Sequence, residues 1–321
     1  MKILLTGAAG FIGSHTLEAL LGRGDEVVAI DNFDPYYSPE RKRRNLGEAS
    51  AGARPGQLTF VAADVRDRAG MDELFLAHRP EAVVHLAAMA GVRASIAAPQ
   101  LYLDVNLSGT LNLLEGARRG GCRAFVFAST SSVYGATRTI PFVETDPCDR
   151  PLAPYPATKR AAELLGHAYH HLYRLPFTAL RFFTVYGPRG RPDMMAYKVL
   201  SNIFFGEEVP LYAGGQMHRD WTYVADIVRG IVAAVDRPLG YEVVNLGRGE
   251  PVLLADFVRR VEALTGKRAA LRDAPMEDAD IAYTFADTGK AARLLGYAPT
   301  VGTDEGIERF WQWYRAAVLA S

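Results

Sequence analysis

Short apolar runs separated by longer mixed stretches fill the first part of the chain. Six such runs, rich in Val, Ile, Leu, Phe and Ala, lie at 2–6, 26–30, 58–61, 82–88, 124–128 and 177–182. Apolar runs of this length are typical of strands buried on both faces of a parallel sheet. The stretches between them suit helices, most clearly at 11–21, at 98–114 and after Pro154. This alternation predicts an α/β fold with a doubly wound parallel, Rossmann-like sheet.

The pattern changes after the sixth run, where turn residues interrupt the alternation. Two turn-rich segments, 186–193 and 214–221, carry three arginines between them. Because a guanidinium group binds phosphate or carboxylate through parallel hydrogen bonds, these segments suggest an anionic substrate. We therefore predict a dinucleotide-binding domain at 1–183, completed by part of 222–248, and a smaller substrate-binding lobe at 184–321.

A glycine-rich turn joins the first apolar run to the first helix. Gly7, Gly10 and Gly13 are evenly spaced, and Phe11 and Ile12 begin the helix. Glycine lets the backbone approach a pyrophosphate at a helix N-terminus, where free N–H groups and the helix dipole favour an anion. We expect these five residues to bind a dinucleotide cofactor.

The second apolar run ends in Asp31, which lies 18 residues after Gly13. A carboxylate at the end of this strand can accept hydrogen bonds from the adenosine ribose, and it would repel a 2′-phosphate. The prediction is therefore NAD rather than NADP. The basic run Arg41–Arg44 is the feature that keeps NADP open, although we interpret it as a solvated helix face.

The ends of the third and fourth runs supply further candidate cofactor contacts. Asp64 and Val65 follow the third run, and the carboxylate can reach an adenine amino group, although a turn or helix-cap aspartate is an equally good interpretation. Leu86, Ala87 and Ala88 end the fourth run with small residues that let a dinucleotide lie against the sheet.

The carboxyl ends of parallel strands are also where open α/β sheets bind their substrates. The loop 91–95 and the hydroxyl-rich turn Ser129–Ser132 fall at two such ends. The turn is well placed to bond a substrate oxygen, although a serine-rich turn without chemistry remains an alternative. His85 lies inside an apolar run, and we expect it to be a hydrogen-bonded core residue.

Tyr155 and Lys159 are four residues apart in the opening turns of a predicted helix, after Pro154 and Pro156. This spacing puts an ammonium group near a phenol on one helix face. A nearby positive charge favours the phenolate and lowers a pKa that is ordinarily about 10. The pair is therefore a candidate general base, although a surface tyrosine near a lysine is common in helices.

Composition excludes several classes of protein. Lys and Arg together number 36, as do Asp and Glu, so bulk charge does not favour a nucleic-acid or membrane partner. The two cysteines, Cys122 and Cys148, lack the spacing of a disulfide framework or a metal site. No apolar run reaches 18 residues, and the chain begins directly in a strand pattern. We expect a cytoplasmic protein without a metal.

Together these residues resemble the extended short-chain dehydrogenase/reductase family over nearly the whole chain. The resemblance rests on the glycine turn, Asp31–Asn32, Asp64–Val65, His85–Ala88, the Thr130 turn, Tyr155 with Lys159, and Arg219–Asp220. Within the family, the segments 31–37, 90–93, 181–194 and 218–224 are most similar to the UDP-glucuronate 4-epimerases.

The resemblance implies an NAD-dependent isomerase that converts UDP-glucuronate to UDP-galacturonate through a transient 4-keto sugar. It implies that Tyr155 is the catalytic base and acid, that Lys159 lowers its pKa and holds the nicotinamide ribose, and that Thr130 lies beside the 4-hydroxyl. Further implied cofactor contacts are Asn32 and Asn106. The implied substrate contacts are Arg93, Ser129, Thr130, Ser131, Ser132, Thr184, Arg191, Arg219 at the diphosphate, and Asp280 at the uridine ribose. Homodimers are common in the family.

One segment departs from the family pattern. The family usually carries a basic or amide side chain shortly before the aspartate at Asp280, where this chain has Met276, Glu277 and Asp278.

Residue types separate the related activities. Sugar-nucleotide 4,6-dehydratases resemble this chain but carry an acidic pair where Ser131 and Ser132 stand, and decarboxylases carry Glu in place of Ser132. UDP-glucose 4-epimerases have Asn at the position of Thr184 and usually lack an arginine at Arg191. A non-catalytic NAD-binding regulator would keep the glycine turn but would not need Tyr155 with Lys159.

Overall fold

The computed structural model describes residues 1–276 and 278–319. The strands are β1 Lys2–Thr6, β2 Glu26–Asp31, β3 Leu58–Ala62, β4 Ala82–His85, β5 Ala124–Thr130, β6 Phe177–Phe182, β7 Thr184–Tyr186, β8 Glu208–Tyr212, β9 His218–Tyr223, β10 Tyr241–Leu246, β11 Pro251–Leu253 and β12 Ala270–Ala274. The α-helices are α1 Phe11–Gly22, α2 Pro39–Ser50, α3 Arg68–His78, α4 Val92–Ala97, α5 Pro99–Tyr102, α6 Gly109–Gly120, α7 Pro154–Tyr173, α8 Met195–Phe205, α9 Val224–Asp236, α10 Leu254–Thr265, α11 Gly289–Leu295 and α12 Thr303–Tyr314. Short π-helical segments lie at Leu103–Ser108 and Arg315–Leu319, and 3₁₀ turns lie at Ser131–Tyr134 and Ala213–Gly215.

The central sheet confirms the predicted doubly wound parallel fold. Over the described residues it has seven strands in the order β10-β6-β5-β4-β1-β2-β3, and every pair is parallel. The chain builds outward from β1 in one direction and from β4 in the other. A crevice therefore opens between the ends of β1 and β4, which is the usual ligand site of such sheets.

The strands form because alternate apolar residues bury themselves in two different layers. Ile3 and Leu5 pack into the core on one face of the sheet, which includes Leu17 of α1 and Ile227 of α9. Leu4 packs into the opposite core, which includes residues of α3 and α6. Each of these strand residues is fully buried, as expected for a sheet covered on both sides.

Several predicted boundaries were wrong. The fourth strand ends at His85 rather than at residue 88, because the Ala87 N–H donates to the Thr6 hydroxyl at 3.1 Å instead of continuing the ladder. The fifth strand runs on to Thr130. The predicted helix at 98–114 is divided into α5, the π-helical segment 103–108 and α6.

The smaller lobe is built from two small sheets and the helices packed on them. Strands β11, β9 and β7 form one sheet, and β12 pairs with β8. An aromatic layer joins α8 to α12 through Tyr197 with Phe310 and Phe204 with Trp311. Strand β10 pairs with β6 at the edge of the main sheet. It comes from the segment 222–248, part of which was predicted to complete the dinucleotide-binding domain.

Ion pairs and hydrogen bonds join this lobe to the first two helices. Arg189, just after β7, donates to Glu18 of α1 at 2.7 Å and to Glu48 of α2 at 3.1 Å. The His15 ring of α1 bonds the Pro188 carbonyl at 2.8 Å.

None of the helices in the described part of the chain is both long enough and apolar enough to cross a membrane.

Candidate active site

A cavity of about 450 Å³ lies at the carboxyl ends of the central strands and contains most of the predicted site. Predicted residues on its wall are Gly7, Gly10, Phe11, Ile12, Gly13, Asp31, Asn32, Asp64, Val65, Leu86, Ala87, Ala88, Ser129, Thr130, Ser131, Ser132, Tyr155, Lys159, Thr184 and Arg191. A second cavity of about 210 Å³ adjoins it and is lined by Arg219 and Asp280. Ser131, Ser132 and Thr184 lie on both walls and mark the junction.

The glycine turn is shaped by two close backbone approaches. Gly7 has φ +70°, and a Cβ there would come within 2.7 Å of the Ala87 nitrogen. A Cβ at Gly13 would come within 1.9 Å of the Gly7 carbonyl oxygen, so α1 packs directly on the turn. The first N–H groups of α1 have no acceptor within the helix, and Phe11 and Ile12 present this end to the cavity. The turn therefore fits a pyrophosphate.

Asp31 is held by two backbone donors at the edge of the same cavity. The Ala9 N–H donates to Oδ2 at 3.0 Å and the Phe33 N–H donates to Oδ1 at 2.8 Å. Burial raises the pKa of this carboxyl, although these two bonds and nearby Lys42 act in the opposite direction. Each oxygen keeps a further lone pair, so the carboxylate fits the hydroxyls of an adenosine ribose.

The basic run beside Asp31 was misinterpreted as a solvated face. The Arg41 guanidinium donates to the Tyr197 hydroxyl at 2.7 Å, and Arg44 donates to the Ala317 carbonyl at 2.7 Å. Lys42 is buried and donates to the Asp34 carbonyl at 2.7 Å. Alternation of apolar residues did not reveal these contacts, because the partners of the arginines lie in the smaller lobe.

Asp64 faces the cavity with both carboxylate oxygens already bonded. It accepts hydrogen bonds from Asn32 at 2.9 Å and from the Arg66 guanidinium at 3.0 and 2.7 Å. The bond to Arg66 lowers the pKa of Asp64 to about 2. The aspartate is therefore charged at neutral pH and fixed in orientation.

Lys159 and Tyr155 lie on α7, as predicted, and both reach the cavity. Lys159 donates to the Ala128 carbonyl at 2.8 Å and lies 4.7 Å above the Phe127 ring. Burial lowers the pKa of Lys159 to about 7, and Glu163 opposes this shift. Burial also raises the pKa of Tyr155, whereas a hydrogen bond with Thr130 and the charge of Arg191 lower it.

The side chains of the hydroxyl-rich turn Ser129–Ser132 do not all face the cavities. The Ser129 hydroxyl donates at 2.6 Å to Oε1 of Glu163, a buried residue that lines neither cavity. The Thr130 hydroxyl donates to Ser132 Oγ at 3.2 Å and accepts from the Ser132 N–H at 3.2 Å. Thr130, Ser131 and Ser132 therefore form the part of the turn that faces the cavities.

Arg191 forms a bidentate ion pair that the sequence did not reveal. Its Nε and Nη2 atoms donate to Asp193 Oδ1 and Oδ2 at 3.0 and 2.6 Å, and the Tyr36 hydroxyl donates to Oδ2 at 3.2 Å. Asp193 and Tyr36 both line the cavity. The acidic residue two positions after Arg191 was the available signal for this pair.

Two predicted residues lie away from both cavity walls. Asn106 is buried and holds the loop after β4, with its amide bonding the Met89 N–H and carbonyl at 2.9 Å each. Arg93 donates to Asp280 at 2.6 Å and to the Tyr212 hydroxyl at 2.8 Å. The residue that departs from the family pattern, Glu277, lies outside the described residues.

Arg219 is partly buried on the wall of the second cavity, whereas His85 is fully buried. Arg219 donates to the His218 carbonyl at 2.9 Å, and burial lowers its pKa. His85 is bonded by the Thr6 and Thr110 hydroxyls at 2.8 and 3.0 Å, so the interpretation as a core histidine is confirmed.

Comparison with known proteins adds to this geometry. The sequence profile of the NAD dependent epimerase/dehydratase family matches residues 3–247. A UDP-glucuronate 4-epimerase of Thermodesulfobacterium geofontis is 41% identical over 97% of this chain and 95% of its own length. The crystal structure of UDP-glucuronic acid 4-epimerase from Bacillus cereus with UDP-glucuronic acid and NAD has TM-score 0.89 and 34% identity, covering 98% of this chain and 99% of that one. The structure of UDP-glucose 4-epimerase from Thermotoga maritima with UDP-glucose has TM-score 0.91 and 31% identity, covering 99% and 100%.

Proposed function

Because the chain belongs to the NAD-dependent epimerase/dehydratase family, we propose that it interconverts UDP-glucuronate and UDP-galacturonate by inverting C4, with NAD as its cofactor. The observation that carries this proposal is the shared cavity. One wall is the glycine turn with Asp31, and the other is the Thr130 turn with Tyr155. A dinucleotide and a sugar can therefore meet at Tyr155.

The residues around the glycine turn suit the two ends of NAD. The turn and the N-terminus of α1 take the pyrophosphate, Asp31 takes the adenosine ribose, and Lys159 takes the nicotinamide ribose. When bound, NAD supplies the acceptor and donor of hydride for C4 of the sugar. The negative charge of Asp31 disfavours NADP.

The protein's own part in the reaction is proton transfer and orientation. Tyr155 removes the proton of the 4-hydroxyl as C4 becomes a carbonyl, and returns a proton when C4 is reduced on its other face. Thr130 bonds the 4-oxygen and holds it against Tyr155. The hydrogen lost from C4 is regained there, so no net oxidation occurs. General-base catalysis of this kind contributes about 10²–10⁴-fold in rate.

The substrate carboxylate creates a hazard that the pocket must control. A 4-keto uronic acid is a β-keto acid, which loses carbon dioxide when the carboxylate bond stands perpendicular to the carbonyl plane. Thr184, Ser131 and Ser132, at the junction of the cavities, can hold the carboxylate at another angle by hydrogen bonds. Arg191 contributes charge nearby while its guanidinium stays paired with Asp193.

The second cavity suits the UDP part of the substrate. Arg219 would bind the diphosphate and Asp280 would accept the uridine ribose hydroxyls. Asp280 is paired with Arg93, and both side chains are partly exposed. That ion pair therefore has to open or share its carboxylate when the nucleotide binds.

The related activities fit the residues less well. Dehydration requires an acid and a base next to Thr130, where this chain has only Ser131 and Ser132. A decarboxylase would carry Glu in place of Ser132. UDP-glucose 4-epimerisation is the nearest alternative, but Thr184 stands where those enzymes have Asn. A purely regulatory NAD-binding protein would leave Tyr155 and Lys159 without a role.

Oligomeric state and compartment complete the proposal. Leu103 on the segment that carries Asn106, Leu111 on the adjoining α6 and Leu164 on α7 are exposed, which supports a homodimer joined through these helices. Light scattering that gave the mass of one chain would contradict it.

Cys122 and Cys148 are unpaired, which is consistent with a reducing cytoplasm.

The proposed function is tested by incubating the purified protein with UDP-glucuronate and no added cofactor. We expect UDP-galacturonate to form, because NAD should remain bound from the cell through turnover. Denatured protein should release NAD or NADH. Recovery of NADP, or no product even with added NAD, would contradict the proposal.

A further inference from the structure

Three side chains on one stripe of α7 lie beside three consecutive residues at the end of β5. Tyr155, Lys159 and Glu163 are spaced by four residues along the helix, so they share one face. Lys159 donates to the Ala128 carbonyl at 2.8 Å, Glu163 accepts from the Ser129 hydroxyl at 2.6 Å, and Tyr155 lies with Thr130 on the wall of the first cavity. Two hydrogen bonds thus join α7 to β5 directly beside Tyr155 and Thr130.

The Glu163 carboxylate is fully buried and fully bonded. Oε1 accepts from Ser129 and from Arg181 Nε at 2.9 Å, and Oε2 accepts from Arg181 Nη2 at 2.8 Å and Arg160 Nη1 at 3.0 Å. Arg181 lies on β6 directly beside Ser129 in the sheet register. These four hydrogen bonds fix the orientation of the carboxylate.

The bond to Ser129 changes what that serine can do. Its side chain is 3% exposed, and its only hydrogen is donated to Glu163. A hydroxyl has one donor, so Ser129 cannot also donate to a sugar oxygen or a carboxylate. Ser129 precedes Thr130 directly, however, and any shift of its backbone would move the Thr130 hydroxyl relative to Tyr155.

Ion pairing between Glu163 and Arg181 alone does not require the serine. The pair already has two parallel hydrogen bonds, and replacing Ser129 by Ala would leave both intact. What the serine adds is a link between this rigid pair and the strand end that carries Thr130. The negative charge of Glu163 also favours the charged form of Lys159 in an otherwise apolar surrounding.

We propose that Ser129 and Glu163 are positioning residues, which set the distance between Thr130 and Tyr155 by tying the end of β5 to α7. Glu163 is not on the cavity wall, and the Ser129 hydroxyl, although Ser129 is on that wall, donates to Glu163. The inference rests on the proposed 4-epimerisation for its kinetic consequence, but its geometric content concerns this chain alone.

The kinetic test compares Ser129→Ala with Arg160→Gln. Both remove one donor to Glu163, but Arg160 is partly exposed and its hydrogen bonds go to Glu163 and the Pro147 carbonyl rather than to β5. For Ser129→Ala we expect kcat per bound NAD to fall about tenfold, because small displacements in the reacting geometry are costly. KM for UDP-glucuronate should stay within about twofold, and Arg160→Gln should keep the wild-type kcat.

Three results would overturn the inference. A higher KM with unchanged kcat in Ser129→Ala would make Ser129 a substrate ligand. Wild-type kcat in that variant would make the bond irrelevant to catalysis. An equal fall of kcat in Arg160→Gln would mean that the network only stabilises the fold.

A second, structural test of the inference does not require a UDP-sugar substrate. Crystal structures of the NAD-bound wild type and Ser129→Ala should show a longer distance between Thr130 Oγ1 and Tyr155 Oη in the variant than in the wild type. An unchanged distance would overturn the inference. If the wild type converted no UDP-sugar, the proposed function would fail while this comparison still decided the positioning role.

Discussion

The Tyr155 hydroxyl is subject to opposing influences. Burial raises its pKa, whereas the Thr130 hydrogen bond and the Arg191 charge lower it. The spacing of Tyr155 and Lys159 predicted Lys159 as the nearby charge. In the structure the charge that acts on the phenol belongs to Arg191, and Lys159 donates to a backbone carbonyl. Sequence spacing on one helix could not predict this, because Arg191 arrives from the smaller lobe.

Replacement of Tyr155 by Phe tests the general base. The ring and its packing beside Tyr102 remain, but the proton acceptor is lost, so turnover should fall by about 10²-fold or more. NAD content and substrate binding should be retained, as measured by nucleotide release and calorimetry. Tyr173→Phe, an exposed change at the end of the same helix, is the control. Normal turnover in Tyr155→Phe would remove Tyr155 from the mechanism.

Thr184 is the residue at which substrate charge should be sensed. Thr184→Val keeps the shape of the side chain but removes the hydroxyl that we propose bonds the substrate carboxylate, and a bond to a charged group is worth about 1.5–3 kcal/mol. We expect kcat/KM for UDP-glucuronate to fall about 10–100-fold, with little change for any residual action on UDP-glucose. Some UDP-pentose should appear as the carboxylate gains freedom. Equal losses for both sugars would mean that Thr184 does not read the carboxylate.

At the scale of elements, α1 is joined to the smaller lobe by a histidine that must remain neutral. Burial lowers the pKa of His15 to about 4, below the ordinary 6.5. The unfolded chain therefore binds more protons between pH 6.5 and 4, so stability should fall as the pH drops through that window.

His15→Gln should remove this acid sensitivity, because a Gln amide can still donate to the Pro188 carbonyl. Between pH 7 and pH 5, the wild type should lose about 1–2 kcal/mol more unfolding free energy than the variant, measured by urea titration. His171→Gln, at an exposed position, should behave as the wild type. Identical acid sensitivity of His15→Gln and wild type would refute the assignment.

Strands and helices were predictable from the sequence where a single pattern of apolar residues dominated the segment. The strand Lys2–Thr6 and the strand Phe177–Phe182 matched their apolar runs because both faces of the sheet are covered. The π-helical segment 103–108 was not predictable, because it depends on the tertiary bonds of Asn106 to the loop after β4. Turn residues and glycines indicated the cavity, but not the ion pairs that organise its walls.

In the whole molecule, the two lobes are joined differently on the two sides of the active site. On the cofactor side, Arg189 binds Glu18 and Glu48, and Arg41 binds Tyr197. On the other side, the partly exposed pair of Arg93 and Asp280 lies beside the second cavity, which Asp280 lines. We therefore expect the sugar nucleotide to exchange while the dinucleotide stays bound, as an epimerase without net oxidation requires.

The most direct test of this account follows the hydrogen at C4. UDP-glucuronate carrying deuterium at C4 is incubated with the purified protein and no added cofactor, and the product is analysed by NMR and mass spectrometry. The account predicts UDP-galacturonate with deuterium retained at C4, because the hydride leaves and returns within one bound complex. Loss of the label to solvent would contradict oxidation and reduction at C4, and UDP-xylose as the main product would replace epimerisation with decarboxylation.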